Sequence, residues 1–220
     1  MRKFDTPAPI AAVLDVPAGR VQLIAADRAD TAVEIRPADA SKGRDQKAAE
    51  QTAVDYADGV LRIRTMTGNR YLGSSGAIEV TVQLPAGSRV EAKTASVEFR
   101  GVGRLGDVAY ESAHGAVKLD EAASLRLSTE AGDVTVGRLN GPAEINTSKG
   151  DITVTEAVRG TVTLTTRAGG ISVGAAAGVS AALDAGTGHG RITNDLKNDG
   201  GVELDIRATT SHGDITARSL

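Results

Sequence analysis

The chain has 220 residues, of which 40% are hydrophobic and only 2% aromatic, and it contains no cysteine. Its net charge is −3, and acidic and basic residues are spread along the chain. This distribution excludes the concentrated positive charge that binds nucleic acid or an anionic membrane. The absence of cysteine excludes disulfides and thiolate chemistry, and no run approaches the roughly 20 apolar residues that a membrane-spanning helix needs.

The N-terminal residues lack the continuous apolar stretch of a signal peptide. Asp5, Pro7, Pro9 and Asp15 interrupt the apolar residues there. We therefore predict a cytoplasmic location for the chain as written, and this prediction leaves export open.

Residues 14–23 carry the first sign of a repeat. In this segment Gly19 is followed two residues later by Val21, in the same alternating context as residues 127–136. Because alternation of apolar and polar residues is typical of strands with one buried face, we predict an early β-coil here. A strand at 31–36 and a short helix within the polar segment 38–51 are predicted to follow.

A hairpin is predicted next. Two alternating segments, 54–56 and 60–65, flank the turn sequence Ala57-Asp58-Gly59. The glycine-rich segment 68–76 is predicted to be the most mobile loop. We interpret residues 1–93 as the N-terminal coil of the domain, with an insertion formed by this hairpin that also caps the coil.

Residues 94–220 repeat a unit of about 18–21 residues. Each unit contains a glycine followed two residues later by valine or isoleucine, and at Gly170 the same unit is one residue shorter. Successive glycines lie 17, 18, 20, 20 and 23 residues apart. The glycines are Gly115, Gly132, Gly150, Gly170, Gly190 and Gly213. This spacing predicts one turn of a β-solenoid per unit.

Each unit has an alternating strand before its glycine and another after it. The inward pairs before the glycine are Val108/Tyr110, Leu125/Leu127, Ala143/Ile145, Val162/Leu164, Ala181/Leu183 and Leu204/Ile206. Two residues later a row of small side chains is predicted to allow a sharp bend, at Ser112, Thr129, Thr147, Thr166, Ala185 and Ala208. We therefore predict an all-β protein: one elongated parallel β-solenoid domain over residues 1–220, with about seven stacked coils.

Two stretches and a terminal motif resemble a known family. Thr-x-x-Gly-Asp-Ile/Val-Thr-Val occurs at 129–136 and 147–154, and Ser-His-Gly-Asp-Ile-Thr at 211–216. Together with the segment 27–37, these residues resemble the bacterial β-strand-repeat proteins labelled "putative adhesin". The resemblance covers almost the whole chain. It implies a solenoid fold and carries over no catalytic residue.

The three histidines, His114, His189 and His212, all immediately precede a repeat glycine. His189 and His212 belong to consecutive coils, so their side chains are predicted to lie roughly 5 Å apart. With Asp214 nearby they are candidate zinc ligands, because zinc takes imidazole and carboxylate ligands. The alternative is that all three are solvated turn residues, which we favour because the sequence offers no convergent third ligand.

Aspartates follow three of the repeat glycines, at Asp133, Asp151 and Asp214. Such a row could bind calcium through its oxygen atoms. Because Ala116, Gly170 and Arg191 interrupt the row, we favour a role in the turns, where aspartate bonds to backbone N–H groups.

The sequence offers no enzyme chemistry that we recognise. Asp120-Glu121 is the nearest local pair of carboxylates, and the sequence contains neither a Gly-x-Ser-x-Gly elbow nor a phosphate-loop lysine motif. We predict a protein that is not an enzyme, has no cofactor and has no identifiable small-molecule substrate.

Three function classes follow from these observations. We favour an interaction or scaffold protein that binds another protein, or itself, through the flat lateral faces of its strands. The second class is a polymer that assembles end to end, with the uncapped C-terminal segment 211–220 as its contact surface. The third is a metal-dependent binder or enzyme at His189, His212 and Asp214. The lateral residues are predicted to be Lys118, Glu130, Arg138, Glu144, Thr153, Thr163, Ser172 and Arg191.

Overall fold

The computed structural model of the chain describes residues 1–65 and 76–220. Nearly all regular structure in these residues is β-strand, and one short helix is present among them. The chain divides into two compact units, unit 1 (Met1–Gly115) and unit 2 (Ala116–Leu220). The all-β prediction is confirmed, while the predicted loop at 68–76 lies, apart from Gly76, outside the described residues.

The elements predicted in the N-terminal region are present in unit 1. Its strands and helix are β1 (Arg2–Asp5), β2 (Ala11–Ala26), β3 (Asp30–Pro37), α1 (Gly43–Glu50), β4 (Thr52–Ala57), β5 (Val60–Thr65), β6 (Ile78–Pro85) and β7 (Arg89–His114). The early strand, the strand near residue 31, the short helix and the hairpin are all confirmed.

The first long strand, β2, lies in the middle of its sheet. Its whole length pairs in parallel with β7, from Ala11 opposite Arg89 to Ala25 opposite Gly103. On its other side β2 pairs in parallel with β5 in its first half and with β6 in its second half. Because β2 has neighbours on both sides, its alternating residues are fully buried, as Leu14 and Leu23 show.

Antiparallel strands cover the outer sides of β5 and β6. The strand β4 pairs with β5 as the predicted hairpin, β3 pairs with β6, and β1 pairs with β3. The helix α1 adds to this cover, because the Thr52 hydroxyl at the start of β4 donates to the Ala48 carbonyl at 2.7 Å. Antiparallel strands and one helix therefore lie beside the parallel pairs of unit 1, while the role of residues 1–93 as a cap stays a prediction.

Unit 2 consists of short strands joined by turns. They are β8 (Val117–Ala131), β9 (Val134–Leu139), β10 (Ala143–Lys149), β11 (Ile152–Ala157), β12 (Gly160–Ala168), β13 (Ile171–Ala175), β14 (Ala181–His189), β15 (Ile192–Asp195), β16 (Leu204–His212) and β17 (Ile215–Ser219).

Two parallel ladders organise unit 2. In the first ladder the strands follow the order β8, β10, β12, β16, β14. In the second ladder they follow the order β8, β9, β11, β13, β17, β15, and the first part of β8 is the part that pairs with β9. Most residues predicted to point inward lie in the core, with Leu183 as a half-buried exception, and Val134 and Ile152 after the turn glycines are completely buried.

The order of the last coils differs from the predicted order of stacking. We expected consecutive coils to be neighbours, but β16 lies between β12 and β14, and β17 lies between β13 and β15. The predicted contact surface at 211–220 is therefore wrong, because β17 is paired on both sides. The physical reason is burial: the more apolar pattern of Leu204, Ile206 and Ile215 occupies the interior position.

The register of the last two coils also needs correction. Val162 pairs with Ile206, and Ile206 pairs with Leu183, so the predicted inward pairs are shifted by two residues. The small-residue row continues through Thr210 and Thr187, not through Ala208 and Ala185. Both threonine hydroxyls donate to glycine carbonyls in the turns, Thr187 to Gly213 and Thr210 to Gly169. These bonds fix how far each threonine lies from the turn.

The repeat unit predicted at Gly170 has its turn glycine one residue earlier. A Cβ on Gly169 would lie 2.0 Å from the Gly150 carbonyl oxygen, and Gly169 has a φ of +156°. Gly150 meets Gly132 in the same way. Gly169 is therefore the turn glycine, and Gly170 occupies the position that aspartate has in other coils.

Candidate interaction surfaces

The predicted turn aspartates bond from one coil to the next. Asp133 Oδ1 accepts from the Asp151 N–H at 2.9 Å, and Asp151 Oδ1 accepts from the Gly170 N–H at 2.7 Å. Asp214 Oδ1 likewise accepts from the Arg191 N–H at 2.8 Å. Each carboxylate thus joins two adjacent coils, and the preference for a turn role over calcium is supported by these bonds.

The two histidines predicted to be neighbours lie side by side. His189 and His212 pair across β14 and β16, and their rings stack with centroids 4.9 Å apart and planes 3° from parallel. Both side chains are exposed. The predicted separation of the two histidines is confirmed. Their strands are neighbours because β16 lies between β12 and β14.

The third member of the predicted metal set has another role. The Asp214 carboxylate is occupied by the Arg191 N–H. Within residues 1–65 and 76–220, no three histidine, cysteine or acidic side chains gather closely enough to hold a metal ion. Zinc binding at His189, His212 and Asp214 therefore stays the less favoured hypothesis, and only the histidine pair supports it.

A row of hydroxyl side chains runs across the second ladder. Neighbouring strands place these residues directly opposite one another, and all are exposed or half-buried. We call them the hydroxyl row: Thr135, Thr153, Ser172, Thr216 and Thr193, from β9, β11, β13, β17 and β15. Adjacent strands are separated by about 4.8 Å, so the row presents hydroxyls at a fixed spacing.

The other outward residues form a surface of mixed charge. Arg126 pairs with Glu144 at 3.4 Å across β8 and β10, and Arg138 pairs with Glu156 across β9 and β11. Such exposed ion pairs contribute little to stability. None of the eight predicted lateral residues is buried, which confirms their outward placement.

The sequence did not reveal the open edge, which we define as β14 and β15. In unit 2, all of which is described, β14 pairs only with β16 and β15 only with β17. The inward residues of these two strands are incompletely covered: Ile192 is 43% exposed, whereas its neighbour Ile215 is 1% exposed. The polar composition of β15 is the one sequence signal for an edge position.

The segment before α1 forms a shallow depression with satisfied charges. Hydrogen bonds from the Ser41 hydroxyl and backbone N–H, with a further contribution from Lys42, lower the pKa of Asp39 to about 2. The buried Asp45 accepts from the Ala77 N–H at 3.0 Å. Because both carboxylates already have partners, this depression offers no free acid for a ligand.

A family model described as Toastrack DUF4097 matches residues 13–219. The chain shows no significant similarity to a curated protein. Within the described parts of the chain, α1 is far too short and polar to be a membrane span, and no other candidate span is found.

Solved structures of three bacterial proteins are similar to this chain. A "putative adhesin" from Bacteroides fragilis is 14% identical, with coverage of 98% of this chain and 95% of the other and a TM-score of 0.57. A "putative cell adhesion protein" from Clostridium sporogenes is 13% identical, with coverage of 100% and 98% and a TM-score of 0.42. A "putative lipid binding protein" from Parabacteroides distasonis is 14% identical, with coverage of 97% and 95% and a TM-score of 0.44. The predicted resemblance to adhesin-labelled repeat proteins is confirmed.

Proposed function

The chain belongs to the Toastrack family DUF4097, and from this membership and the strand geometry we propose that it is a non-enzymatic interaction protein. Its parallel ladders close into the coils of one β-solenoid domain, and the hydroxyl row is the face that binds another protein. The observation that carries this proposal is the hydroxyl row itself.

The hydroxyl row suits recognition because its position is fixed by the core. Every member except Thr193, which lies on the open edge, alternates with buried residues, as Thr153 does between Ile152 and Val154. A hydroxyl both donates and accepts a hydrogen bond, so the row can match the backbone of an extended partner segment. Because the side chains are short and lie in strands, binding orders few rotamers and its entropic cost is small.

The remaining chemistry of unit 2 supports binding over catalysis. The turn carboxylates of Asp133, Asp151 and Asp214 are occupied by backbone N–H groups. The names of the similar adhesin proteins agree with an interaction role, and they favour a location outside the cytoplasm. The predicted cytoplasmic location can be tested directly by fractionating cells that express the full natural protein.

Position-specific photo-crosslinking tests the proposed face. A photo-reactive residue replaces Thr153 in the hydroxyl row, and in a matched control it replaces Thr163, a half-buried outward residue of β12 in the first ladder. We expect saturable capture of a protein from position 153 and not from position 163. Capture of the same proteins from both positions, or of none, would contradict the proposal.

The captured protein then allows a quantitative test with purified components. Thr153→Arg and Thr216→Arg should each weaken its binding about tenfold or more, because a bulky charged side chain interrupts the row. Thr163→Arg should leave the affinity within about twofold. Equal losses for both faces would show that the hydroxyl row is not the binding surface.

A further inference from the structure

At the start of β14 the Ala181 N–H donates to the Lys197 carbonyl at 3.0 Å. Beyond this bond, the open edge formed by β14 and β15 has unpaired backbone groups that face away from the rest of unit 2. The Ser180 carbonyl accepts from the Leu204 N–H, which fixes the direction of backbone groups at the start of β14. Because successive residues of a strand alternate in direction, the backbone groups of Leu183, Ala185 and Thr187 point away from β16. An edge of this kind accepts another strand.

The side chains of this edge offer little protection against pairing. The sequence of β14 is Ala-Ala-Leu-Asp-Ala-Gly-Thr-Gly-His, and that of β15 is Ile-Thr-Asn-Asp. Neither strand contains the lysine or proline that commonly blocks edge strands. Leu183 is half-buried and Ile192 is 43% exposed, so a strand added here would complete the cover of the core.

The edge also lacks a bond that joins several of the stacked coils. Where coils stack in unit 2, Asp133, Asp151 and Asp214 supply a carboxylate to the N–H of the next coil. In β15's coil the equivalent position is Arg191, which supplies no acceptor. The outer sides of β5 and β6 in unit 1 are covered by antiparallel strands, so they are not available to continue a stack.

From these observations we propose that β14 of the open edge pairs with β14 of a second copy of this chain, antiparallel and about a two-fold axis near Ala185. This register sets the charged Asp184 opposite Gly186 of the second copy, and Leu183 opposite Thr187. No like charges then face each other directly, which favours pairing. A strand that pairs with this edge needs alternating apolar residues, and β14 of the second copy supplies them.

Two-fold pairing of β14 with its own copy yields a closed dimer, not a filament. This inference goes beyond the proposed binding by the hydroxyl row, because it concerns a different surface and a different partner. It also replaces the end-to-end polymer predicted from the sequence with an assembly of two chains.

Sedimentation equilibrium over a wide concentration range tests the dimer. We expect the wild-type mass to rise to twice the 22.5 kDa of one chain and no further. Ala185→Pro removes one outward N–H without removing a bond to β16. It should weaken dimerisation about tenfold or more, whereas Val202→Lys, at an exposed apolar residue outside the strands, should not.

Disulfide trapping tests the register, because the natural chain has no cysteine. Ala185→Cys should crosslink to its own copy on mild oxidation, since opposed residues in such a pair have Cα atoms about 5.5 Å apart. Val202→Cys is the control that should stay monomeric. A wild-type protein that stays monomeric, masses beyond the dimer, equal weakening by Val202→Lys, or no crosslink at 185 would each overturn the proposal. Retention of partner binding by Ala185→Pro would show that the two surfaces are independent.

Discussion

The outer strands are covered by further structure in unit 1 and left largely uncovered in unit 2. Both units place the coil nearest the chain terminus inside the sheet: β2 lies between β7 and the β5–β6 pair, and β16 lies between β12 and β14. In unit 1 the strands left outside are then covered, and apolar residues of the cover such as Val33 and Val54 are buried. In unit 2 the outer strands β14 and β15 stay uncovered, and Ile192 is exposed.

The difference follows from the amount of chain available at each place. Between β2 and β6, unit 1 has the segment 27–77, which supplies β3, α1 and the β4–β5 hairpin. Between β15 and β16, unit 2 has only residues 196–203. Aromatic side chains also contribute to the cover of unit 1, where Phe4 and Tyr56 have ring centroids 5.3 Å apart. Residues 116–220 contain no aromatic side chain, so unit 2 is packed with smaller residues.

The largest effect is expected from a charge placed in the core of unit 2. Ile152→Asp should destabilise the protein by more than about 4 kcal/mol, because an unpaired charge is buried at a completely inaccessible position. Thr153→Asp, on the outward face of the same strand, should cost less than about 1 kcal/mol. Circular dichroism during thermal unfolding measures both.

The same variant shows whether the units unfold together. All three tyrosines lie within residues 1–115, so tyrosine fluorescence reports on unit 1 alone. If residues 1–220 form the single predicted domain, Ile152→Asp should unfold unit 1 as well. A native tyrosine signal alongside lost strand structure would contradict the one-domain prediction.

A smaller effect is expected at a turn glycine. Gly150 has a φ of +144°, and a Cβ there would lie 2.2 Å from the Gly132 carbonyl oxygen. Gly150→Ala should therefore cost about 3 kcal/mol. Gly186→Ala, on the open edge where no atom lies within 4 Å of the added Cβ, should change stability by less than about 1 kcal/mol. Chemical denaturation compares the two, and equal losses would show that the turn glycine is replaceable.

Removal of one bond between coils should have a still smaller effect. Asp151→Ala loses the bond to the Gly170 N–H, and we expect a cost of about 1 kcal/mol because the site is exposed and water can replace the carboxylate. Asp184→Ala, on the open edge, is the matched control and should stay within about 0.5 kcal/mol. The bond between coils would be unimportant if both variants had the same denaturation midpoint.

The smallest effect concerns the segment that leads into α1. Hydrogen bonds from Ser41 lower the pKa of Asp39 to about 2 from its ordinary value of 3.8. Because the folded-state pKa is lowered, the stabilisation is fully present above the ordinary value and is lost as the pH falls through about 2. Carboxyl NMR titration should therefore give Asp39 a pKa well below 3.8, and Ser41→Ala should raise that pKa. A pKa near 3.8 for Asp39 in the wild-type protein would contradict the hydrogen bonds from Ser41.

Much of the fold could be predicted from local patterns. Alternation identified the buried residues of strands such as β9 and β11, and the turn sequence at 57–59 identified the hairpin of unit 1. The role of the turn aspartates and the separation of His189 from His212 were also predictable, because each depends on residues at fixed positions in a repeated unit.

The order of the coils was decided only by the tertiary structure. Every coil carries the same alternation and a turn glycine, so each can pair with any other, and local sequence does not distinguish the neighbours. The insertion of β16 and β17 buries the more apolar pattern and leaves the polar β15 at the edge. The open edge and the corrected register both follow from that choice, because they depend on which strands remain without a neighbour.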